Sequence, residues 1–108
     1  MKAQINANIY NVQMNQFSNP LNLQVVKYDG FDNEMIDYGI NIINKAYSLM
    51  NDLNQLAKYV TDSFNSKYPA KTKWNCFIIK KEAGSSFWEK KSIWFSMKDY
   101  YILIFLAS

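Results

Sequence analysis

The fold is decided by three apolar segments: Trp74-Asn75-Cys76-Phe77-Ile78-Ile79, Ile93-Trp94-Phe95-Ser96-Met97 and Tyr100-Tyr101-Ile102-Leu103-Ile104-Phe105-Leu106. The first alternates with a period of two, and both alternating sets are partly apolar, which predicts a strand covered on both faces. Lys98-Asp99 separates the second strand from the third, which is apolar throughout and is predicted to be central and buried. Lys80 to Gly84 predicts a turn, and Ser85 to Glu89 a further short strand.

Two helices are predicted before these strands. Asp32 can cap the first, and Asn51 with Asp52 can cap the second, which has to end before Pro69 because the residue before a proline avoids helical angles. Gly39 lies in the first helix, where glycine costs about 1 kcal/mol relative to alanine, so we expect close packing there. The apolar faces repeat at three and four residues and comprise Met35, Ile36, Gly39, Ile40, Ile43, Ala46, Tyr47 and Met50, then Leu53, Leu56, Ala57, Val60 and Phe64.

A short β-prone run, Leu23 to Lys27, precedes the helices and ends at Asp29-Gly30. The order of one strand, two helices and four strands predicts an α+β domain in which two helices pack on a small antiparallel sheet. A length of 108 residues favours one domain. Because 17% of the residues are aromatic and 49% hydrophobic, one small protomer can hardly bury them all, which favours a dimer or a client-bound subunit.

Residues Met1 to Leu23 are rich in Asn and Gln and differ from the rest of the chain. Two interpretations stay open: a low-complexity leader without its own fold, or a segment that a partner orders. Ile5, Ile9 and Val12 fit one helical face, whereas Tyr10, Val12 and Met14 fit one face of a strand. We therefore expect an N-terminal extension over residues 1–23 and a folded domain over residues 24–108.

The composition argues against catalysis. The chain has no histidine, one cysteine and three widely spaced glycines, so it lacks the commonest general base, a zinc cluster and a phosphate-binding loop. We expect no enzyme activity, no cofactor and no metal. Cys76 lies between apolar residues in a strand and is expected to be buried and inert.

Partners and location are constrained more weakly. The single cysteine fits a reducing compartment, and no apolar run reaches the length of a membrane span, so we expect a cytoplasmic protein without a membrane or secretory segment. Lys80-Lys81 and Lys90-Lys91 flank Phe87-Trp88, a pattern that could bind single-stranded nucleic acid. The net charge of only +3 makes solvated turns beside a buried aromatic pair the favoured interpretation, and no nucleic acid is expected.

From Val25 to Ser108 the chain resembles the eight-kilodalton dynein light chain family. The resemblance implies a homodimer, or a heterodimer with another light chain, whose third strand crosses to the partner's sheet. It also implies two grooves that each bind an extended client, such as a dynein intermediate chain, as an added strand. The matching pieces are Val25-Val26-Lys27, Glu34-Met35, Leu56-Ala57 through Val60 to Phe64, Lys67-Tyr68, Trp74 and Cys76 with one residue between them, Glu89, Lys91 and the last strand.

This resemblance predicts a non-catalytic light chain of a cytoplasmic dynein, or of a dynein in the ciliary axoneme, where it would associate with microtubules and the cytoskeleton. The client would be an intermediate chain or a heavy-chain complex. A general dimerisation hub outside dynein is the alternative, and a small nucleic-acid-binding protein is less favoured.

The resemblance also assigns site residues. The client groove is predicted at Lys27, Leu53, Asn54, Ala83, Gly84, Ser85, Ser86, Phe87, Trp88, Ile93, Phe95 and Met97. The dimer interface is predicted at Trp74, Asn75, Ser85, Ser86, Phe87, Trp88 and Glu89.

Several positions depart from the family pattern. Asn75 replaces a histidine that makes family dimers sensitive to acid, so assembly here should lack that sensitivity. Family clients carry a glutamine that caps the second helix between two threonines, and Asn54 replaces a lysine at the start of that helix. Phe95 and Met97 replace groove tyrosines, so we expect this groove to bind such clients weakly.

Overall fold

The computed structural model describes residues 19–83 and 90–107. The predicted strand at Ser85 to Glu89 and the predicted extension before Asn19 lie outside the described residues. The elements are β1 (Gln24–Asp29), α1 (Asn33–Leu49), α2 (Leu53–Lys67), β2 (Trp74–Lys80), a 3-10 turn (Lys81–Ala83), β3 (Ser92–Met97) and β4 (Tyr100–Leu106). Two helices pack against a four-stranded antiparallel sheet, which confirms the predicted fold class.

The sheet has the strand order β1-β3-β4-β2. β4 lies between β3 and β2, and its residues from Ile102 to Phe105 are all buried, as its unbroken apolar sequence predicts. β3 and β4 form a hairpin in which Lys98 adopts a positive φ of 52°, uncommon outside glycine. Within the described part of the chain, β1 and β2 are therefore the edges of the sheet.

Both helices begin at the predicted caps. The side chain of Asp32 accepts a hydrogen bond from Met35 N at 2.9 Å, and Asp52 accepts one from Gln55 N at 2.7 Å. These bonds pair backbone donors that the first turn of a helix leaves without partners. The second helix ends at Lys67, and Tyr68 is the C-cap directly before Pro69, as expected from proline sterics.

The segment before β1 belongs to the packed domain. Leu21 and Leu23 are only 9% and 0% exposed. Asn44 on α1 holds this segment, because its Oδ1 accepts from Leu21 N at 3.0 Å and its Nδ2 donates to Asn19 Oδ1 at 2.9 Å. The segment from Asn19 to Leu23 therefore packs on α1, and the boundary after Leu23 stays a prediction.

Gly39 lies where α1 packs against β3 of the sheet. A β-carbon at this position would lie 3.3 Å from ring atoms of Phe95, which is itself 0% exposed. The expected close packing is thus present, and the glycine makes room for an aromatic ring of β3.

We predict that Gly39→Leu destabilises the protein by roughly 1–3 kcal/mol, because overpacking a filled core forces side chains and backbone to shift. Asn41→Leu is the matched control, since Asn41 is exposed on the same helix. Urea denaturation of both variants measures the difference. Equal free energies of unfolding for the two variants would contradict the packing role of Gly39.

Candidate binding surface

The backbone N–H and C=O groups of the edge strand β2 point alternately toward β4 and away from the sheet. Residues of an antiparallel pair alternate between hydrogen-bonded and non-hydrogen-bonded positions. The β2–β4 register continues in bonds from Ala107 N to Lys73 O (3.0 Å) and from Lys81 N to Asp99 O (2.8 Å). Odd-numbered residues of β2 therefore direct their backbone groups toward β4. The even-numbered residues direct theirs away from the sheet: Trp74, Cys76, Ile78 and Lys80.

Asn65 on α2 occupies the first of these outward positions. Its side-chain oxygen accepts from Trp74 N at 2.9 Å, and its Nδ2 donates to Trp74 O at 3.3 Å. These two bonds reproduce what a residue of a neighbouring strand would make. Among the described residues, no hydrogen bond reaches the outward backbone groups of Cys76, Ile78 or Lys80, so this part of the edge can receive another strand.

The face of the sheet opposite the helices is apolar as well. Trp94, Leu103 and Phe105 form a second hydrophobic cluster there and are 5%, 2% and 7% exposed. Phe77 on β2 packs against Phe105 with ring centroids 5.1 Å apart, yet it remains 49% exposed. The outer face of β2 is thus only partly covered, and a large exposed aromatic beside a strand edge is typical of a surface that a second chain covers.

Trp94 contributes a buried polar group to this outer face. Its Nε1–H is buried and has no hydrogen-bond partner in the described structure. The ring lies 5.5 Å from that of Tyr101, and Lys27 Nζ lies 5.9 Å from its centroid. A buried donor without an acceptor costs about 1–3 kcal/mol.

A cavity of about 500 Å³ adjoins the start of α2. Its walls come from the end of α1, the start of α2 and the turn between β3 and β4, together with Leu21. Tyr47, which the sequence pattern assigned to the apolar face of α1, lines this cavity and is 47% exposed. The wall is mixed, with Leu53 and Met97 beside Asp52 and Lys98.

The first turn of α2 is hydrogen-bonded by its own side chains. Besides the Asp52 cap, Gln55 Oε1 accepts from Asn51 N at 3.2 Å. The reciprocal bonding resembles a capping box, which pairs donors at a helix start. The cap position that the resemblance assigns to a client glutamine is therefore filled by Asp52.

The predicted groove residues fall into separate environments. Lys27 and Asn54 are exposed and Leu53 is half-buried, so all three have surface for a client. Ile93 and Phe95 are 0% exposed in the core between sheet and helices, where a client could not touch them directly.

Met97 is also buried, at 3% exposure, but it lines the cavity together with Leu53. Ala83 ends the 3-10 turn, and the other groove positions, Gly84, Ser85, Ser86, Phe87 and Trp88, lie outside the described residues.

The predicted dimer residues are likewise divided. Trp74 points into the core, is 2% exposed and donates from Nε1 to Tyr68 O at 2.7 Å, so its side chain offers no surface to a partner. Asn75 points to the outer face, is half-buried and donates to Lys73 O at 3.2 Å. Ser85 to Glu89 lie outside the described residues.

Sequence reasoning missed several residues of this surface. Asn65 and Asn44 act through side-chain bonds to backbone 9 and 23 residues away, and no periodic pattern signals such bonds. Sequence reasoning also gave Lys98 no role in the cavity wall. It placed Tyr47 on the apolar face of α1 without identifying it as a cavity residue. Phe77 was assigned correctly to the alternating strand, but sequence could not show which side of that strand stays exposed.

Comparison with solved structures identifies the fold. The chain is similar to the dynein light chain-like domain of the calcium-binding protein FhCaBP2 from Fasciola hepatica, with a TM-score of 0.62 and 14% sequence identity. The match covers 80% of this chain and 92% of that domain. The chain has a dynein light chain-like fold. No model of a known protein family matches the sequence, and no curated protein matches it.

In the described part of the chain, no three His, Cys, Asp or Glu side chains lie close enough together to hold a metal ion. No helix in that part of the chain is long and apolar enough to cross a membrane. Calcium binding is a property named for the Fasciola protein, and it is not carried over to this chain.

Cys76 is buried on the core side of β2, as predicted. Burial raises the pKa of its thiol from 9.0 to about 12. The neutral thiol is favoured in the folded state, so its contribution to stability is complete below pH 9 and is lost as the pH rises toward 12. The thiolate is the reactive form, which makes Cys76 inert at neutral pH.

We predict that a thiol reagent labels Cys76 very slowly in the native protein at pH 8 and rapidly in denaturant. Absorbance of the released chromophore measures both rates. An engineered exposed cysteine, Lys71→Cys, is the positive control because Lys71 is exposed. Equal labelling of the two thiols in the native protein would show that Cys76 is accessible.

Proposed function

We propose that this protein is a non-catalytic adaptor of the dynein light chain type, which dimerises and binds an extended segment of a dynein intermediate or heavy chain by strand addition. The observation that carries the dimerisation part of the proposal is the edge of β2, whose outward backbone groups at Cys76, Ile78 and Lys80 have no hydrogen-bond partner among the described residues. Strand addition needs only such an edge, since backbone hydrogen bonds provide the affinity.

The strand that occupies this edge would come from a second protomer. The segment predicted as a strand, Ser85 to Glu89, follows β2 after the 3-10 turn, and the resemblance implies that it crosses to the partner. One further feature favours a second chain at this place, the half-exposed ring of Phe77. A partner would cover this ring.

The client would bind beside the start of α2. Leu53 and Asn54 have surface there, and the cavity wall adds Tyr47, Met50 and Met97. These side chains are mostly apolar, so the groove would select a client by hydrophobic contacts around an extended backbone. The resulting setting is cytoplasmic and cytoskeletal, in a dynein complex of the cytoplasm or of an axoneme.

A variant at Ile78 tests the use of the β2 edge. Ile78→Pro removes an outward N–H without removing a bond to β4, and proline is tolerated at such edge positions. We expect this variant to remain folded and to lose dimerisation in sedimentation velocity. Ile78→Ala is the matched control, because it loses the side chain but keeps the N–H. Dimers of undiminished affinity for Ile78→Pro would exclude this edge.

Phe87→Lys tests the predicted crossing strand separately, because a charge buried without a partner is costly. If Phe87→Lys stays dimeric while Ile78→Pro does not, some other segment occupies the edge. Because the chain has no histidine, the wild-type dimer should also persist from pH 7 to pH 5.

Client selectivity gives a second test. Calorimetry with a standard threonine-glutamine-threonine peptide should show weak binding, because Asp52 already caps α2. Asp52→Ala frees the backbone N–H of Gln55, so this variant should bind the peptide more tightly while losing about 0.5–2 kcal/mol of stability. Lys58→Ala, at an exposed position of the same helix, is the control. Low-micromolar binding by the unmodified protein would show that its groove keeps ordinary family selectivity.

Membership of a dynein complex is tested by affinity capture of the tagged full chain and mass spectrometry of the chains that co-purify. Dynein intermediate or heavy chains would support the proposal. Recovery of unrelated coiled-coil or scaffold proteins without dynein subunits would favour a general dimerisation hub. Binding of labelled single-stranded RNA or DNA by the purified protein would favour the nucleic-acid alternative.

A further inference from the structure

The position at which the N-terminal segment joins the domain is fixed by hydrogen bonds. Asn19 Oδ1 accepts from Leu23 N at 3.2 Å and from Asn44 Nδ2 at 2.9 Å. Asn44 in turn donates to Ile40 O at 2.9 Å and is only 9% exposed. A buried amide with all of these partners anchors Asn19 firmly to α1.

This anchor lies beside the cavity at the start of α2. Asn22 N donates to Asn19 O at 2.9 Å, which closes a turn with Pro20 at its second position, where proline is favoured. Leu21, the next residue of this turn, forms part of the cavity wall. The eighteen residues that precede Asn19 are therefore attached within two residues of the cavity.

We propose that the N-terminal segment, residues 1–18, docks in this cavity of its own chain and covers the surface at which a client would bind. The inference rests on the proposed function only for the identity of the competing client. The docking itself depends on the anchor, the cavity and the sequence of the segment.

The tether makes docking within one chain the favoured case. Val12 is seven residues from Asn19, and seven residues can span at most about 23 Å when fully extended. A random coil of seven residues would have an end-to-end distance of roughly 15 Å, which leaves Val12 within reach of a cavity whose wall begins two residues after Asn19, at Leu21. A short linker of this kind gives an effective concentration in the millimolar range, so even weak contacts populate the docked state.

The chemistry of the segment suits the cavity. Tyr10, Val12 and Met14 alternate with amide residues, so an extended backbone would turn its apolar side chains to one side and its amides to the other. The cavity wall offers apolar side chains such as Leu53 and Met97 next to polar groups. From Ala3 to Ser18 the segment carries no charge, so docking would bury no unpaired ion.

Paramagnetic broadening in the full chain tests the proposal. A nitroxide attached at Gln13→Cys, on the amide side of the segment, is specific because the native thiol, Cys76, is buried and unreactive. We expect loss of amide signal for Leu53 and Lys98 in the cavity wall. The amides of Ser66 and Lys67 should keep their intensity, because they lie about 20 Å along α2 from Leu53.

Two further samples make the result decisive. Tyr10→Ser with Met14→Ser should restore the signals of the cavity residues, whereas the matched pair Asn11→Ser with Asn15→Ser should leave them broadened. Mixing nitroxide-labelled chains with isotope-labelled chains that lack the nitroxide tests docking between copies.

Docking within one chain is supported if the cavity signals are broadened when each chain carries both the nitroxide and the isotope label, and are not broadened in the mixture. Equal broadening in the mixture would assign the cavity to the segment of a second copy and overturn the proposal. Absence of broadening in every sample would also overturn it. Sedimentation of the same samples measures dimerisation separately, so a failure of the proposed function can be distinguished from a failure of docking.

Discussion

The packing of Trp74 fixes how the helices and the sheet meet. Its ring lies 5.3 Å from that of Phe64 and 5.7 Å from that of Phe31, measured between centroids, and its indole N–H is bonded to Tyr68 O. Since Trp74 is the first residue of β2, its inward orientation sets the orientation of every later residue of that strand. Side chains of a strand alternate between faces, so Cys76 follows it into the core and Phe77 is turned outward.

The same parity decides which backbone groups of β2 face away from the sheet. Trp74, Cys76 and Ile78 have inward side chains and outward backbone groups, as the register with β4 shows. A shift of one residue would expose Cys76 and bury Asn75, so the hydrophobic pattern strongly specifies the register. The outward edge of β2 is therefore a by-product of core packing: residues that fill the interior also direct their N–H and C=O groups away from the sheet.

Most of the fold could be predicted from local sequence signals. The caps at Asp32 and Asp52, the stop before Pro69 and the apolar run of β4 act over a few residues, and the structure confirms each of them. The surface could not be predicted in the same way. Asn65 and Asn44 bond to distant backbone, and such bonds depend on the tertiary fold rather than on a pattern along the chain.

Site residues carried over by resemblance were the least predictable. Ile93 and Phe95 lie on β3, but their side chains are buried in the core, where Phe95 packs next to Gly39. Neither side chain has an accessible surface, and their predicted contact with a client stays untested. The fold determines on which strand a residue lies, whereas the exposed fraction of its side chain depends on the neighbouring side chains. Large residues such as Trp74 and Phe64 change how much of each neighbour is covered.

The proposed strand addition would also account for a fold that persists while the sequence differs. The chain shares only 14% identity with the Fasciola domain, yet 92% of that domain is covered by the structural match. Backbone hydrogen bonds of an added strand require a free edge and correct register, and neither requires a particular side chain. Under this proposal, a side chain beside the client, such as Asp52 at the start of α2, could change and alter which client is accepted. Selectivity would then diverge at constant fold, and the self-capped start of α2 would bear more on the client than the strand order does.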